Sequence, residues 1–153
     1  DAYDRAVAAY TKAESLNPND ATMKLLFANL EMAQKNSQKA QEFVTASLEK
    51  YPTVNAFLIQ ARIAISNNDW KKAAESMEIV VSANPNNVEL ILNLGVLQEK
   101  AGNQDRANEI FNAIRNRFTD GQQAIDQTRK NFGIYSIPET IESEESVDTP
   151  VAE

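Results

Sequence analysis

The sequence contains no cysteine and no histidine among its 153 residues. Disulfide bonds, thiol nucleophiles, imidazole bases and zinc sites of the cysteine–histidine kind are therefore excluded. Glycine and proline are scarce, with four and five residues, which argues against a β-rich fold with many turns and favours helices. No apolar run approaches the ~20 residues of a membrane-spanning helix. Cysteine-free proteins occur in reducing and oxidising compartments alike, so the location stays open, and the cytoplasm is expected ahead of the periplasm.

Basic residues are also too few for a nucleic-acid groove. The formal net charge is −7, and residues 139–153 hold six carboxylates without any Lys or Arg, which leaves the rest of the chain near −1. Nucleic-acid grooves need a clear basic excess, so we expect no nucleic-acid partner. The stretch 136–153 is acidic and poor in apolar residues, a composition that predicts a disordered tail.

Catalytic and cofactor motifs are missing as well. The sequence has no glycine-rich phosphate loop and no calcium-binding loop. Glu75 and Glu78 lie one helical turn apart, but nothing in the pattern predicts one buried and one exposed carboxylate, as acid–base catalysis requires. We therefore expect no catalytic residue, no metal site, no cofactor and no small-molecule substrate, and hence no enzyme.

What the sequence does contain is a period of about 34 residues. Pro18, Pro52 and Pro85 are separated by 34 and 33 residues, and an alanine lies twelve residues before each. An apolar residue follows each alanine after four positions. The alanines are Ala6, Ala40, Ala73 and, one period further, Ala107; the apolar residues are Tyr10, Val44, Met77 and Phe111. Markers that keep one phase predict an array of helical hairpins.

The residues of this period resemble a known family. Gly95, Gly102, Ala107 and Phe111 match the Leu-Gly, Gly, Ala and Phe pattern of tetratricopeptide repeats, over a resemblance that covers about residues 1–135. It implies an all-α fold, a right-handed α-solenoid of antiparallel helical hairpins with a C-terminal capping helix. The predicted units are a half repeat at 1–20, repeats at 21–53, 54–87 and 88–121, a capping helix at about 120–132, and the acidic tail from 136.

Local details support and complicate this map. Asn36, Asp69 and Asn103 precede second helices, where a short polar side chain caps exposed amides. One residue is missing between Pro52 and Ala73, and polar residues replace the usual apolar ones at three packing positions. The first helices of hairpins one and two are therefore expected either in register or displaced by one position. The three polar residues are Lys24, Glu31 and Gln60.

The resemblance implies that first helices line a concave groove for an extended peptide or a partner helix. Asn29 is a candidate because an amide both donates and accepts, and Arg62 because its fork fits a carboxylate; the alternative is that both are merely exposed helix residues. The predicted groove residues are Leu25, Asn29, Leu58, Arg62, Leu92, Val96 and Lys100. Around them lie Thr22, Met32, Asn55, Ile65, Glu89 and Glu99.

Some members of the family bind a terminal carboxylate with a clamp of Lys, Asn and Arg. Only Asn29 matches at the corresponding positions, and Glu89 would repel an acidic terminus, so an apolar or amphipathic ligand is expected instead. The clamp positions are Leu25, Asn29, Ile59, Glu89 and Asn93. Trp70 is expected to pack between repeats rather than to anchor a ligand.

Three functions fit these patterns. The first is a non-catalytic scaffold whose groove binds a peptide or helix of a protein partner. The second is an assembly or spacer domain at the C-terminus of a larger protein, including a membrane-anchored protein of bacterial type, or a module that self-associates through the N-terminal half repeat, where Tyr3, Val7 and Tyr10 form an apolar stripe. The third is regulation of access by the acidic tail, which folds back onto the groove or enters the groove of a neighbouring copy.

Overall fold

The computed structural model describes residues 1–18 and 20–141. Eight α-helices follow one another in this part of the chain, and a short 3₁₀ turn comes after the last. They are α1 (Ala2–Leu16), α2 (Ala21–Ala33), α3 (Ser37–Lys50), α4 (Val54–Ser66), α5 (Trp70–Ala83), α6 (Val88–Lys100), α7 (Gln104–Arg117), α8 (Gly121–Asn131) and the turn Ile134–Ser136.

The helices stack as a solenoid. Each helix packs against the next one in the chain, α2 also contacts α4, and α8 contacts α6 as well as α7. The fold is therefore the predicted all-α, right-handed α-solenoid of helical hairpins, closed at its C-terminal end by α8. Each of the predicted repeats 21–53, 54–87 and 88–121 contains one hairpin.

The residue missing between Pro52 and Ala73 is accounted for by the loop before α4, which is one residue shorter than the loops before α2 and α6. Asp20 and Asn87 cap α2 and α6 two residues after a proline, whereas Thr53 caps α4 directly after Pro52. All three side-chain oxygens accept a hydrogen bond from an amide in the first turn. Because each of these caps begins a helix of 13 residues, α2, α4 and α6 start and end at equivalent positions.

Two of the predicted caps of second helices are not formed. Asp69 caps α5 by accepting from the Lys72 amide at 3.2 Å, but Asn36 and Asn103 make no such bond. Their amides turn back to α2 and α6, where Glu31 Oε2 accepts at 2.9 Å and the side-chain oxygen of Gln98 at 2.7 Å. At the position of Glu31 and Gln98 the second repeat has Ala64, so Asp69 lacks that partner and caps its helix instead.

The polar residues at packing positions have partners. Glu31 is buried, and it accepts hydrogen bonds from the Tyr3 hydroxyl at 2.8 Å and from Asn36. Lys24 forms an ion pair with Glu14 of α1. The remaining one, Gln60, accepts from the Ser76 hydroxyl at 2.8 Å. A buried polar group with a partner costs little, which explains why the departures from the apolar pattern are tolerated.

Small residues bring the helices close together. Ala28, Ala61, Ala40, Ala73 and Ala107 are fully buried. At the equivalent position on α6, a Cβ added to Gly95 would lie 2.5 Å from Cε1 of Phe111, which is itself fully buried. Burying a side chain of that size contributes about 1.5–3 kcal/mol, so the α6–α7 approach is well supported.

The packed part of the chain extends beyond the predicted start of the tail at 136. Ile137 is only 2% exposed, and Ile141 packs against the main apolar cluster. Residues 136–141 of the predicted tail thus lie against the helices through the aliphatic side chains of Ile137 and Ile141. The rest of that tail, 142–153, lies outside the described residues.

Candidate functional site

The surface formed by α2, α4 and α6, called the concave face below, carries residues 132–141 of the same chain. We call these residues the C-terminal segment. Its 3₁₀ turn contacts α4. Ile137 belongs to the apolar cluster that also includes Leu58, Leu92 and Val96, and Ile134 and Ile141 pack against that cluster. The segment thus occupies the surface that the family resemblance assigns to a ligand.

Asn93 of α6 holds one part of the segment. It is 2% exposed, and its Nδ2 donates to the backbone carbonyl of Ser136 at 3.1 Å. The hydroxyl of Ser136 lies 3.0 Å from Asn93 Oδ1, to which it donates. The same Nδ2 donates to the Glu89 carbonyl at 2.9 Å, which fixes the orientation of the amide.

Asn55 of α4 holds the end of the described chain. Its Oδ1 accepts from the backbone N–H of Ile141 at 2.7 Å, and its Nδ2 donates to the carbonyl of the same residue at 3.2 Å. A side-chain amide that binds the backbone N–H and C=O of one residue recognises the backbone, whatever side chain that residue carries. Asn55 is therefore suited to hold an extended peptide of varied sequence.

Arg62 of α4 contacts both Asn29 of α2 and the C-terminal segment. The side chain is 7% exposed, Nη1 donates to Asn29 Oδ1 at 3.2 Å, and Nη2 lies 3.5 Å from Oε1 of Glu139. The buried Nε has no hydrogen-bond partner among the described residues. The guanidinium of Arg62 thus approaches the carboxylate of Glu139, but through only one of its three nitrogens rather than through a bidentate contact.

At the other end of the segment, one ammonium group and two aromatic rings meet. The ammonium of Lys100 lies 4.9 Å from the ring centroid of Trp70 and 5.6 Å from that of Phe132. The two rings are 6.5 Å apart. Trp70 is partly buried and packs against the main apolar cluster, and it contacts the residue that begins the C-terminal segment, so it packs against the segment as well as between helices.

An open cleft of about 540 Å³ remains between α2 and the segment. The helices contribute mostly apolar side chains, and the segment contributes Ile134, Glu139 and Thr140. The segment therefore covers only part of the concave face. From the helices, the lining residues are Tyr10, Leu26, Asn29, Leu30, Met32, Ala33 and Arg62.

The predicted groove residues occupy four kinds of position. Asn29 and Arg62 are hydrogen-bonded to each other beside the cleft, and Lys100 lies over Trp70 and Phe132. Leu25 packs in the apolar cluster between α2, α3 and α4, and Leu26 lines the cleft in its place. The other three, Leu58, Leu92 and Val96, are buried in the cluster that the segment covers.

Two backbone-binding residues differ from the expectation. The amide function assigned to Asn29 is performed by Asn55 and Asn93, while Asn29 accepts from Arg62. Asn93 is at a clamp position, but a terminal carboxylate was the only ligand considered there. A signal was present in the sequence: Ile137 and Ile141 lie inside the stretch 136–153 that was assigned to a polar tail, and Ile134 lies just before it.

The N-terminal aromatic residues are partly covered within the chain. Tyr3 bonds to Glu31, and the ring of Tyr10 packs edge-on against Phe27 with centroids 5.6 Å apart. Burial opposes ionisation of Glu31, but the hydrogen bonds from Tyr3 and Asn36 and the charge of Lys39 outweigh it and lower its pKa. The hydrogen bond to Glu31 raises the pKa of Tyr3.

Comparison with known proteins agrees with the repeat architecture. The family model of the tetratricopeptide repeat matches residues 1–63 and again 64–127. The chain belongs to the tetratricopeptide repeat family. Members of this family in general mediate protein–protein interactions and are typically non-catalytic.

One curated relative adds little beyond the fold. The pre-mRNA-splicing factor CLF1 of Kluyveromyces lactis is 26% identical over 87 residues, which are 57% of this chain and 13% of that protein. In the part of the chain that the structure describes, no helix is long and apolar enough to cross a bilayer. Within the same residues, no three carboxylates are grouped as metal ligands would be.

Proposed function

We propose that this tetratricopeptide repeat chain is a scaffold whose concave face binds an extended peptide segment of a partner protein. One observation carries the proposal: Asn55 and Asn93 bind backbone groups of the C-terminal segment on this face, Asn55 at Ile141 and Asn93 at Ser136 of the 3₁₀ turn. Backbone hydrogen bonds of this kind supply affinity, and side-chain pockets beside them supply specificity.

The cleft next to the segment supports a ligand of mixed character. Its apolar side chains come from α1 and α2, and its one guanidinium comes from Arg62. A micromolar interaction corresponds to about −8 kcal/mol, which a few anchors in such a cleft supply after the ordering costs. The neutral balance of the chain outside 139–153 does not favour a nucleic acid over a peptide.

Peptide selection tests the proposal directly. A random peptide library displayed on phage is selected against the immobilised chain, and the enriched peptides are titrated into ¹⁵N-labelled protein. We expect chemical-shift changes along α2, α4 and α6. Changes confined to α3, α5 and α7, or no enrichment over an unrelated helical protein, would contradict a binding site on the concave face.

A matched pair of substitutions separates the face from the rest of the surface. Ala33 is exposed in the cleft and Ala46 is exposed on α3, so Ala33→Tyr fills the cleft and Ala46→Tyr adds the same ring elsewhere. We expect the first variant to weaken the selected peptides about tenfold or more and the second to leave them unchanged. Equal affinities for both variants would exclude the cleft.

A further inference from the structure

The C-terminal segment has the form of a bound peptide ligand. Ile137 is buried, Ile141 is partly buried against the apolar cluster, and Glu139 between them has a side chain that is 76% exposed and reaches toward Arg62. Along the chain the pattern is aliphatic, proline, glutamate, a polar residue and aliphatic. Ile137, Glu139 and Ile141 each meet a specific feature of the concave face, namely the apolar cluster, Arg62 and Asn55 with the same cluster.

The recognition groups are of two kinds. Asn55 binds only backbone atoms of Ile141, so it would bind the backbone of another peptide equally well. Arg62 supplies the sequence-specific part because a buried guanidinium selects a carboxylate. The face is therefore matched to a short extended peptide with an acidic residue between two aliphatic ones.

The segment satisfies Arg62 incompletely. Only Nη2 approaches Glu139, at 3.5 Å, and the buried Nε has no hydrogen-bond partner among the described residues. A carboxylate that engaged two nitrogens of the guanidinium would bind more strongly than Glu139 does. An external peptide whose carboxylate engages two nitrogens of Arg62 is thus able to displace the segment.

We propose that the partner of the concave face is an extended peptide with the pattern aliphatic–Pro–acidic–polar–aliphatic, and that residues 137–141 compete with it for Asn55 and Arg62. This inference rests on the proposed function, and it adds the chemistry of the ligand and an internal competitor. A tethered segment acts at an effective concentration of about 1 mM. If the free peptide binds with a dissociation constant of about 0.1 mM, competition weakens the external ligand about tenfold.

The first experiment measures peptide binding to the full chain. A capped, fluorescein-labelled peptide with the sequence of residues 134–141 is titrated by anisotropy against wild type, Glu139→Arg and the control Glu75→Arg, which alters an exposed carboxylate of α5. We expect Glu139→Arg to bind the peptide about tenfold more tightly than wild type and Glu75→Arg to behave as wild type. Far-ultraviolet circular dichroism confirms that both variants are folded.

A second peptide, with arginine in place of the residue corresponding to Glu139, tests the chemistry. We expect it to bind all three proteins at least tenfold more weakly. Equal binding of both peptides would overturn the acidic pattern, and equal affinity of wild type and Glu139→Arg for the first peptide would overturn the competition. Failure of the first peptide to bind any of the three proteins would overturn the ligand chemistry, while library-selected peptides that still map to α2, α4 and α6 would leave the proposed function standing.

The position of the segment is tested independently with a spin label. Because the chain has no cysteine, Thr140→Cys gives a single labelling site. We expect broadening of the Asn55 and Arg62 amides in the labelled chain, and none when labelled unenriched chain is mixed with ¹⁵N-labelled unmodified chain. Broadening only in the mixture would mean that the segment lies on another copy of the chain, which would overturn the internal competition. Absence of broadening in both samples would overturn the inference as a whole.

Discussion

The side-chain amide of Asn55 binds both backbone polar groups of Ile141, which lies 86 residues further along the chain. Oδ1 accepts from the Ile141 N–H at 2.7 Å, and Nδ2 donates to its carbonyl at 3.2 Å. No other pairing between a side chain and the C-terminal segment satisfies a complete backbone unit among the described residues. The stability of the segment on α4 should therefore depend on this one amide.

Asn55→Ala is expected to release the end of the segment. Each hydrogen bond contributes about 0.5–1.5 kcal/mol, so losing two should speed exchange of the Ile141 amide about tenfold or more. Asn55→Asp keeps the acceptor and loses the donor, so an intermediate rate is expected. Hydrogen exchange followed by NMR gives the rates, and Asn67→Ala, at the exposed far end of α4, is the control. An unchanged rate in Asn55→Ala would show that the amide does not hold the segment.

Gly95→Ala is expected to destabilise the third repeat. The new Cβ would lie 2.5 Å from Cε1 and 2.9 Å from Cζ of Phe111, so the ring or helix α7 must move. Overpacking costs about 1–3 kcal/mol, and the better helix propensity of alanine offsets about 1 kcal/mol of it. Urea unfolding measures the difference.

A control and a rescue accompany that substitution. Gly133→Ala places its Cβ in open space on extended backbone and should be nearly neutral. The double variant Gly95→Ala with Phe111→Leu should lose less than the sum of the two single effects, because the smaller side chain removes the clash. Strict additivity would contradict a direct contact between the two positions.

The Tyr3–Glu31 hydrogen bond predicts a pH dependence of stability. The pKa of Glu31 is lowered from its ordinary 4.5, so its contribution is present in full above that value and is lost as the pH falls through the lowered pKa. Glu31→Gln should lower the melting temperature by about 2–4 °C near neutral pH, and the difference from wild type should shrink in acid.

The alkaline side has the opposite sign. The pKa of Tyr3 is raised above 10.0, so its contribution is present below that value and is lost as the pH rises through the raised pKa. Tyr3→Phe removes this dependence, whereas Tyr51→Phe, at an exposed position, should retain it. Thermal melts across the pH range are the measurement, and identical profiles for Tyr3→Phe and wild type would mean that the bond does not form.

The three hairpin turns predict two stabilising substitutions. Lys35, Asn68 and Gly102 occupy the same position in successive hairpins, with φ values of 62°, 57° and 83°. Glycine has no penalty there, whereas a lysine pays about 1–2 kcal/mol and an asparagine less. Lys35→Gly should therefore stabilise the chain more than Asn68→Gly does, by up to about 1 kcal/mol in urea unfolding. Lys39→Gly, inside α3, is the contrasting control and should destabilise.

The helical array was predictable because its signals repeat. Pro18, Pro52 and Pro85 follow the ends of α1, α3 and α5, and the buried alanines recur with the same period. One such residue alone would be weak evidence, but prolines and alanines that share one period of about 34 residues together indicate the array of hairpins. The hydrogen bonds of the predicted cap residues depended on tertiary contacts. Asn36, for example, bonds to Glu31 of α2 and does not cap its own helix.

The C-terminal segment was not predictable by the same route. It occurs once, so no period supports it, and six nearby carboxylates dominate its composition. Its position depends on partners far away in the sequence, namely Asn55, Arg62 and Asn93. Local patterns carry no information about such pairings. The aliphatic residues of the segment were too few to change a prediction that rested on the acidic composition of the whole stretch.

The 86-residue separation between Asn55 and Ile141 also bears on how the chain folds. An array in which each hairpin contacts only its neighbours can begin to fold anywhere and can fray from either end. A contact that joins the second hairpin to Ile141, beyond the last helix, cannot form until the intervening helices are in place, since closing so long a loop costs entropy. We expect this closure to be a late event, after which the second and third hairpins unfold together rather than one by one.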